Sequence, residues 1–163
     1  MKFTGASERE NRARAFRTVS LAAELPGKLY LHSMPGRYEP LQTAWLEIKR
    51  LGITRVICLA SLEEIGRRSP DYAKALTEQT LPCRITHFPI ADFDAPQDTN
   101  EFFLSARSVA DSLRHGGNAL VHCGAGMGRT GTFAIGVLLA LGMCKRSADT
   151  RQKEAAQLGA NPR

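Results

Sequence analysis

Residues Asn118–Thr132 read NALVHCGAGMGRTGT, and this stretch decides the fold. Its first five residues have an apolar centre, Ala119–Val121, and predict a strand that is buried inside a parallel sheet. Four glycines lie among the eight residues Gly124–Gly131, which predicts a tightly folded loop. An apolar segment from about Thr130 to Leu141 then predicts a helix. A loop between a strand and a helix lies at the carboxyl end of that strand, where α/β proteins bind their ligands.

Working outward, further strands and helices alternate along the chain. Apolar, β-branched runs predict strands at Lys28–His32, Arg55–Ala60 and Arg84–Pro89. Helical spacing of apolar residues predicts a helix between Leu41 and Leu51. Because the strands alternate with helices and are apolar on both faces, we expect an α/β fold, a three-layer sandwich whose central, mostly parallel sheet is flanked by helices.

Residues that cap helices mark where the remaining helices begin. Ser61 and Glu64 have capping-box spacing, and Asp98 and Glu101 form a second capping pair. Ser69 followed by proline predicts another helix start. A last, polar helix is predicted at residues 147–158.

Composition places the chain among globular proteins. The sequence has 163 residues, of which 43% are hydrophobic and 23% charged, so disordered, collagen-like and coiled-coil proteins are excluded. This length suits one domain. We divide it into a basic N-terminal arm, residues 1–20, and a single domain, residues 21–163. The formal net charge of +6 favours an anionic ligand.

Cysteines and apolar runs predict the cellular context. The four cysteines form no C-x-x-C pair, and no spacing of cysteine and histidine indicates a metal site. Residues 1–17 lack the apolar stretch of a secretory signal. The longest apolar run, Phe133–Cys144, is too short to cross a membrane. We therefore expect a cytoplasmic protein with reduced cysteines, no metal and no membrane insertion.

The glycine-rich loop carries the chemistry. Cys123 leaves the buried strand, and Arg129 opens the following helix six residues later. Backbone N–H groups that converge at a helix N-terminus bind anions, so this loop would hold a phosphate and stabilise the Cys123 thiolate. The planar guanidinium of Arg129 matches two phosphate oxygens at once.

At these residues the sequence resembles the Cys-based protein phosphatases with the H-C-x5-R-[ST] signature. The resemblance covers about residues 26–142 and is carried by Leu51–Ile53, by His87–Asp92 and by His122–Thr130. It is strongest with the dual-specificity branch, and most of all with the cyclin-dependent-kinase-associated phosphatases. It implies a protein tyrosine phosphatase-like fold and an enzyme without a cofactor.

The resemblance also implies a role for each site residue. Cys123 would attack phosphorus and form a cysteinyl-phosphate intermediate. Asp92 would protonate the leaving oxygen and then activate water, with Asp94 as the competing candidate. Thr130 would hydrogen-bond the sulfur, and His122 would hydrogen-bond within the loop and favour the thiolate. The phosphate would be held by the loop residues Gly124, Ala125, Gly126, Met127, Gly128 and Arg129.

The expected function is hydrolysis of phosphotyrosine on proteins, with phosphoserine and phosphothreonine left open. One alternative is a phosphatase of phosphoinositides or other small molecules, although Gly124 and Met127 are uncharged where phosphoinositide-selective relatives carry lysines. Another alternative is a phospho-binding module without turnover. The expected partner is a phosphorylated protein and not a nucleic acid.

Two further interpretations concern the same loop. Residues 126–131 match G-x-G-x-x-G, but no second strand ending in an acidic residue follows, which argues against a dinucleotide site. Cys58, on a neighbouring predicted strand, could form a disulfide with Cys123 under oxidation, and this is left open together with the oligomeric state.

Overall fold

A computed structural model describes residues 16–92, 94 and 96–143, and a five-stranded sheet lies at its centre. The strands are β1 (Arg17–Thr18), β2 (Leu29–His32), β3 (Ile53–Cys58), β4 (Arg84–His87) and β5 (Asn118–His122). Their order across the sheet is β1-β2-β5-β3-β4. Only the edge pair β1–β2 is antiparallel, whereas β2, β5, β3 and β4 run parallel. The predicted, mostly parallel sheet is therefore confirmed.

Helices cover both faces of the sheet. They are α1 (Leu41–Arg50), α2 (Leu62–Arg68), α3 (Pro70–Glu78), α4 (Thr99–Arg114) and α5 (Gly128–Ala140). The apolar residues of α4 and α5 pack on one face, and those of α1, α2 and α3 pack on the other. This is the predicted three-layer sandwich. No helix in the described ranges is both long and apolar enough to cross a bilayer.

The core between the sheet and helices α4 and α5 is closely packed. The rings of Phe102 and Phe133 meet edge to face, with centroids 5.5 Å apart. A Cβ at Gly136 would lie 2.8 Å from the Phe102 ring, so glycine lets α5 approach α4 closely. This core fixes α5, whose first turn contributes to the site described below.

The opposite core contains a polar pair that reaches the site. Trp45 of α1 is buried and packs edge to face on Tyr72 of α3, with ring centroids 5.6 Å apart. The hydroxyl of Tyr72 lies 2.9 Å from Nε2 of His122, the last residue of β5. Both side chains are fully buried, so this hydrogen bond ties the strand end to α3.

The capping interpretation is confirmed, with one change. Asp98 accepts the Glu101 N–H at 2.9 Å, and Ser61 accepts the Glu64 N–H at 3.1 Å. The Glu64 carboxylate, however, binds Arg129 instead of completing a capping box. A buried guanidinium needs a counter-charge more than an exposed helix end needs a second cap bond.

Element boundaries differ from the prediction by two residues in three places, and one of these is the end of β4, at His87 rather than Pro89. β3 covers residues 53–58 rather than 55–60, because pairing with β5 starts at the Ile53–Asn118 register. α5 begins at Gly128 rather than at Thr130, which puts Arg129 inside the first turn. The helix predicted at residues 147–158 lies outside the described residues.

Residues 16–19, predicted as the end of the arm, belong to the folded domain. β1 extends the sheet beside β2, and the Phe16 ring stacks on His32 with centroids 4.0 Å apart. Val19 packs against the core below α4 and α5. These apolar contacts outweigh the basic character of the segment. The rest of the predicted arm lies outside the described residues.

Candidate functional site

The glycine-rich loop lies at the carboxyl edge of the parallel strands, between β5 and α5. The backbone of the β2–α1 connection supports it from below. Met34 donates its N–H to the carbonyl of Gly124 at 3.2 Å. Gly126 has a φ of +74° and lies so close to residues 32 and 33 that a Cβ would be 2.6 Å from the Ser33 nitrogen. Only glycine fits there.

The loop turns a backbone donor toward the cysteine. Cys123 is only 2% exposed, and its Sγ accepts the Gly126 N–H at 3.2 Å. A hydrogen bond to sulfur favours the thiolate over the thiol. The start of α5 lies five residues further on, and its positive end faces the same region. This arrangement is suited to binding an anion.

Arg129 joins three elements around the loop. Its Nη1 and Nη2 donate to the two carboxylate oxygens of Glu64 at 2.8 and 2.9 Å, and Nη1 also donates to the Ile90 carbonyl at 3.0 Å. The pKa of Arg129 is raised, first by the hydrogen bond to Glu64 and then by the charges of Cys123, Glu64 and Asp92, against desolvation. The guanidinium therefore stays charged although its side chain is only 4% exposed.

One donor of Arg129 remains unused. Its Nε is buried and has no hydrogen-bond partner among the described residues. A buried N–H without a partner costs roughly 1–3 kcal/mol. Such a donor beside a cysteine on an anion-binding loop is suited to an oxygen of a bound anion.

Glu64 is a site residue that the sequence analysis missed. The Arg129 hydrogen bond is the main cause that lowers the pKa of Glu64; burial opposes it, and the charges of Arg129, Arg68 and Arg37 add to the lowering. The sequence signal was ambiguous, because an acidic residue three positions after serine is also a normal capping residue. The sheet order, which places β3 beside β5, brings Glu64 to the loop from the first turn after β3.

The structure brings both aspartate candidates to the loop. Oδ1 of Asp92 lies 3.3 Å from Nη2 of Arg129, and the Asp92 side chain is 58% exposed. Asp94 lines the same cleft. Both aspartates lie in the connection between β4 and α4. The hydrogen bond from Arg129 to the Ile90 carbonyl holds the start of this connection against the glycine-rich loop.

His122 and Thr130 occupy the interior below the loop. His122 lies 3.2 Å from the Cys123 carbonyl through Nδ1, and complete burial lowers its pKa to about 3. The ring is therefore neutral; Nδ1 carries the proton that the carbonyl accepts, while Nε2 accepts from Tyr72. Thr130 Oγ1 is buried without a partner among the described residues, so the expected bond to the Cys123 sulfur is not formed here.

The glycine-rich loop faces a cleft of about 630 Å³. Six residues of the predicted site line it: Asp92, Cys123, Ala125, Met127, Gly128 and Arg129. Two arginines that the sequence analysis did not select also line it, Arg37 and Arg68.

Another missed residue supports the loop from the sheet edge. The guanidinium of Arg17, in β1, donates to the carbonyl of Gly126. No sequence pattern links these two residues, which are 109 positions apart.

Cys58 lacks the features of a redox partner for Cys123. The two side chains belong to the cores on opposite faces of the sheet. Burial is the main cause that raises the pKa of the Cys58 thiol to about 12, so little thiolate forms at neutral pH.

Comparison with known proteins connects this site to a family. Residues 24–161 match the family model described as "PTP-SAK: Swiss Army Knife protein, DSP-PTPase phosphatase domain". No curated protein sequence is significantly similar to the chain.

Solved structures resemble the chain in fold. One is a kinase associated phosphatase whose catalytic-site cysteine is replaced by serine, with a TM-score of 0.61 and 24% identity. The similarity covers 70% of this chain and 66% of that protein, so this chain spans just under two thirds of that protein's length. The human tyrosine phosphatase-like serine/threonine/tyrosine-interacting protein has a TM-score of 0.52 and 28% identity, over 71% and 70% of the two chains. The active form of Tk-PTP has a TM-score of 0.52 and 24% identity, over 72% and 78%.

Proposed function

The chain belongs to the PTP-SAK family of dual-specificity-type (DSP-PTPase) phosphatase domains, and from this premise we propose that it dephosphorylates phosphotyrosine on proteins, and phosphoserine and phosphothreonine as well, through a cysteinyl-phosphate intermediate. One observation carries the proposal. The unpaired, buried Nε–H of Arg129 lies beside a loop that also turns the Gly126 N–H toward the Cys123 sulfur.

In the first step the Cys123 thiolate attacks phosphorus, and the bond between phosphorus and the leaving oxygen breaks. Loop N–H groups and the Arg129 guanidinium hold the three remaining phosphate oxygens, whose charge is spread in the transition state. Glu64 occupies the outer nitrogens of Arg129 and leaves Nε for phosphate, so it acts as a positioning residue. The leaving oxygen takes a proton from Asp92, whose carboxyl group lies within reach of the loop at Arg129.

In the second step Asp92 acts as a general base. The Asp92 carboxylate accepts a proton from water, the oxygen of that water attacks phosphorus, and the phosphorus–sulfur bond breaks. Inorganic phosphate leaves and the Cys123 thiolate is restored. Thr130 is proposed to turn its unpaired hydroxyl toward the sulfur at this stage. Together the two steps convert the phosphate monoester and water into an alcohol and inorganic phosphate, and neither step requires a cofactor.

Turnover by matched cysteine variants tests the proposal. We expect wild type to hydrolyse p-nitrophenyl phosphate and Cys123→Ser to lose at least 10³-fold in kcat, whereas Cys83→Ser keeps wild-type activity. Cys83 is half-buried and does not line the cleft. Acid-quenched wild type should carry one phosphoryl group on Cys123. Phosphopeptide binding without cysteine-dependent turnover would instead indicate the phospho-binding module.

Two comparisons refine the assignment. Asp92→Asn should lower kcat more than Asp94→Asn, and the reverse order would transfer the acid to Asp94. A panel of phosphotyrosine peptide, phosphothreonine peptide and inositol phosphate should favour the peptides. Faster turnover of the inositol phosphate would support the small-molecule alternative.

A further inference from the structure

The cleft has a cationic side that the reaction above does not use. Arg37 follows β2, and Arg68 ends α2, which follows β3; these two strands flank β5 on either side. The Asp92 connection follows β4, at the far end of the sheet order. Both arginines line the cleft that contains Cys123.

Neither arginine has an ion-pair partner within the described residues, although each has an acidic neighbour in sequence. Glu39, near Arg37, directs Oε1 to the His32 ring at 3.2 Å and to the Gly36 N–H at 3.3 Å. Glu64 is four residues before Arg68, the spacing of a helical ion pair, but both of its oxygens bind Arg129. The Glu64 charge acts on both guanidinium groups without forming an ion pair with either, so each retains N–H donors for a further anion.

Arg37 is held beside the start of the loop. Its guanidinium lies over the Tyr38 ring, 4.7 Å from the centroid. Its Nη1 and the Nη2 of Arg129 both lie 3.2 Å from the point where a Cβ of residue 124 would be, and Oε1 of Glu64 lies closer still to that point. Arg37 is therefore a second guanidinium beside the Arg129–Glu64 pair, at the edge of the phosphate site.

We propose that Arg37 and Arg68 form a subsite for a second anionic group of the substrate, a phosphate or carboxylate adjacent to the scissile phosphate. This inference rests on the proposed function. It narrows the substrate class to phosphopeptides that carry another negative group within a few residues of the phosphorylated one. A phosphate carries more negative charge than a carboxylate, so the two guanidinium groups should bind a second phosphate more tightly than a carboxylate.

Selectivity between peptides tests the subsite. The measurement is kcat/KM for three peptides of one sequence: phosphotyrosine alone, phosphotyrosine with glutamate two residues away, and phosphotyrosine with phosphoserine two residues away. The double variant Arg37→Gln/Arg68→Gln should lower the preference for the doubly phosphorylated over the singly phosphorylated peptide about tenfold, if each arginine contributes about 0.7 kcal/mol through its ion pair with the second phosphate. Turnover of p-nitrophenyl phosphate, which carries no second anionic group, should fall by a smaller factor than turnover of the doubly phosphorylated peptide.

The control is Arg67→Gln, an exposed arginine of the same helix that pairs with Glu63 at 3.8 Å and does not line the cleft. An unchanged peptide preference, or an equal loss with p-nitrophenyl phosphate, overturns the subsite. Absence of any cysteine-dependent turnover overturns the proposed function instead. In that event the same peptides are titrated against Cys123→Ser, and equal affinities for all three also overturn the subsite.

A second inference rests on a different observation, the contact of β1 with the loop. Gly126 donates its N–H to the Cys123 sulfur, while its carbonyl accepts from Arg17. The stacking of Phe16 on His32 holds β1 against the end of β2, which the backbone of Gly126 contacts closely. Arg17 precedes residue 24, where the match to the family model begins, so this support lies outside the matched region.

From this contact we infer that Arg17 is a positioning residue that fixes the Gly126 backbone so that its N–H faces the sulfur. Removing Arg17 frees the carbonyl to turn, and the thiolate then loses a donor. Like the first inference, this one rests on the proposed role of Cys123, but its readout does not need turnover.

Alkylation of Cys123 by iodoacetamide across pH 5–10 measures the effect. In Arg17→Gln the pH of half-maximal reactivity should rise by about one unit, the equivalent of one weakened hydrogen bond. Arg17→Lys should restore part of the shift, and Thr18→Ala, an exposed neighbour in β1, should show none. A lower melting temperature with an unchanged alkylation profile would reduce Arg17 to a structural role. If Arg17→Gln does not fold, the comparison of Arg17→Lys with wild type decides, and coincident profiles overturn the inference.

Discussion

Acidification should weaken this fold through one histidine, His122. The ring is fully buried, and burial lowers its pKa from 6.5 to about 3. In the unfolded chain the ring takes up a proton as the pH falls below 6.5, whereas the folded protein cannot bind that proton until near pH 3. Unfolding therefore becomes easier throughout this window. Between pH 7 and pH 5 the free energy of unfolding should fall by about 2 kcal/mol from this group alone.

Urea unfolding at pH 7, 6 and 5 measures this loss, with His122→Gln as the comparison. Glutamine keeps an acceptor for the Tyr72 hydroxyl but does not titrate in this range. Subtracting the variant's free energy of unfolding from that of wild type at each pH cancels the contribution of the other ionisable groups. We expect wild type to lose about 2 kcal/mol more than the variant between pH 7 and pH 5.

A direct measurement supports the comparison if the variant does not fold. The ring nitrogen resonances of His122 in folded wild type should show the neutral form with its proton on Nδ1 from pH 7 down to pH 5. A His122 ring that titrates near pH 6.5 in the folded protein would refute the reasoning. So would wild-type and variant stabilities that fall in parallel.

Three further substitutions have expected outcomes. Gly126→Ala should reduce kcat at least tenfold and lower stability by about 1–3 kcal/mol, because alanine at φ +74° meets the backbone of residues 32 and 33; unchanged kinetics would contradict this. Gly66→Ala should raise the free energy of unfolding by about 0.5–1 kcal/mol, because Gly66 lies inside α2 with no atom within 4 Å of a new Cβ; denaturation with urea checks it, and a loss would be the opposing result. Asp98→Ala should cost about 1 kcal/mol in the same assay by removing the cap on the Glu101 N–H, and no loss would show the cap to be dispensable.

Local features of this chain could be predicted because their causes are local in sequence. The cap at Asp98 needs only a residue three positions away, and the apolar centre of β5, Ala119–Val121, is buried on both faces. The loop from Cys123 to Gly128 was found for the same reason, since strand, glycines and helix follow one another directly. The element order then determined the three-layer fold.

The contacts that complete the site could not be predicted in this way. Glu64 is 65 residues from Arg129, and Arg17 is 109 residues from Gly126. Nothing in the spacing along the chain distinguishes Glu64 from a capping residue or Arg17 from the other basic residues near the N-terminus. Only the sheet order, which places β1 and β3 near β5, brings these groups to the loop.

The nitrogens of Arg129 have different partners because the guanidinium is buried. A guanidinium this buried is stable only with a fixed counter-charge, and Glu64 supplies it by holding the two outer nitrogens. That pairing removes Glu64 from its helical neighbour Arg68 and leaves the inner Nε of Arg129 without a partner. One ion pair thus creates both an unused donor beside Cys123 and an unpaired cation at the edge of the cleft. If Glu64→Gln left both the kinetics with phosphopeptides and the preference for a second anionic group unchanged, this coupling would be wrong.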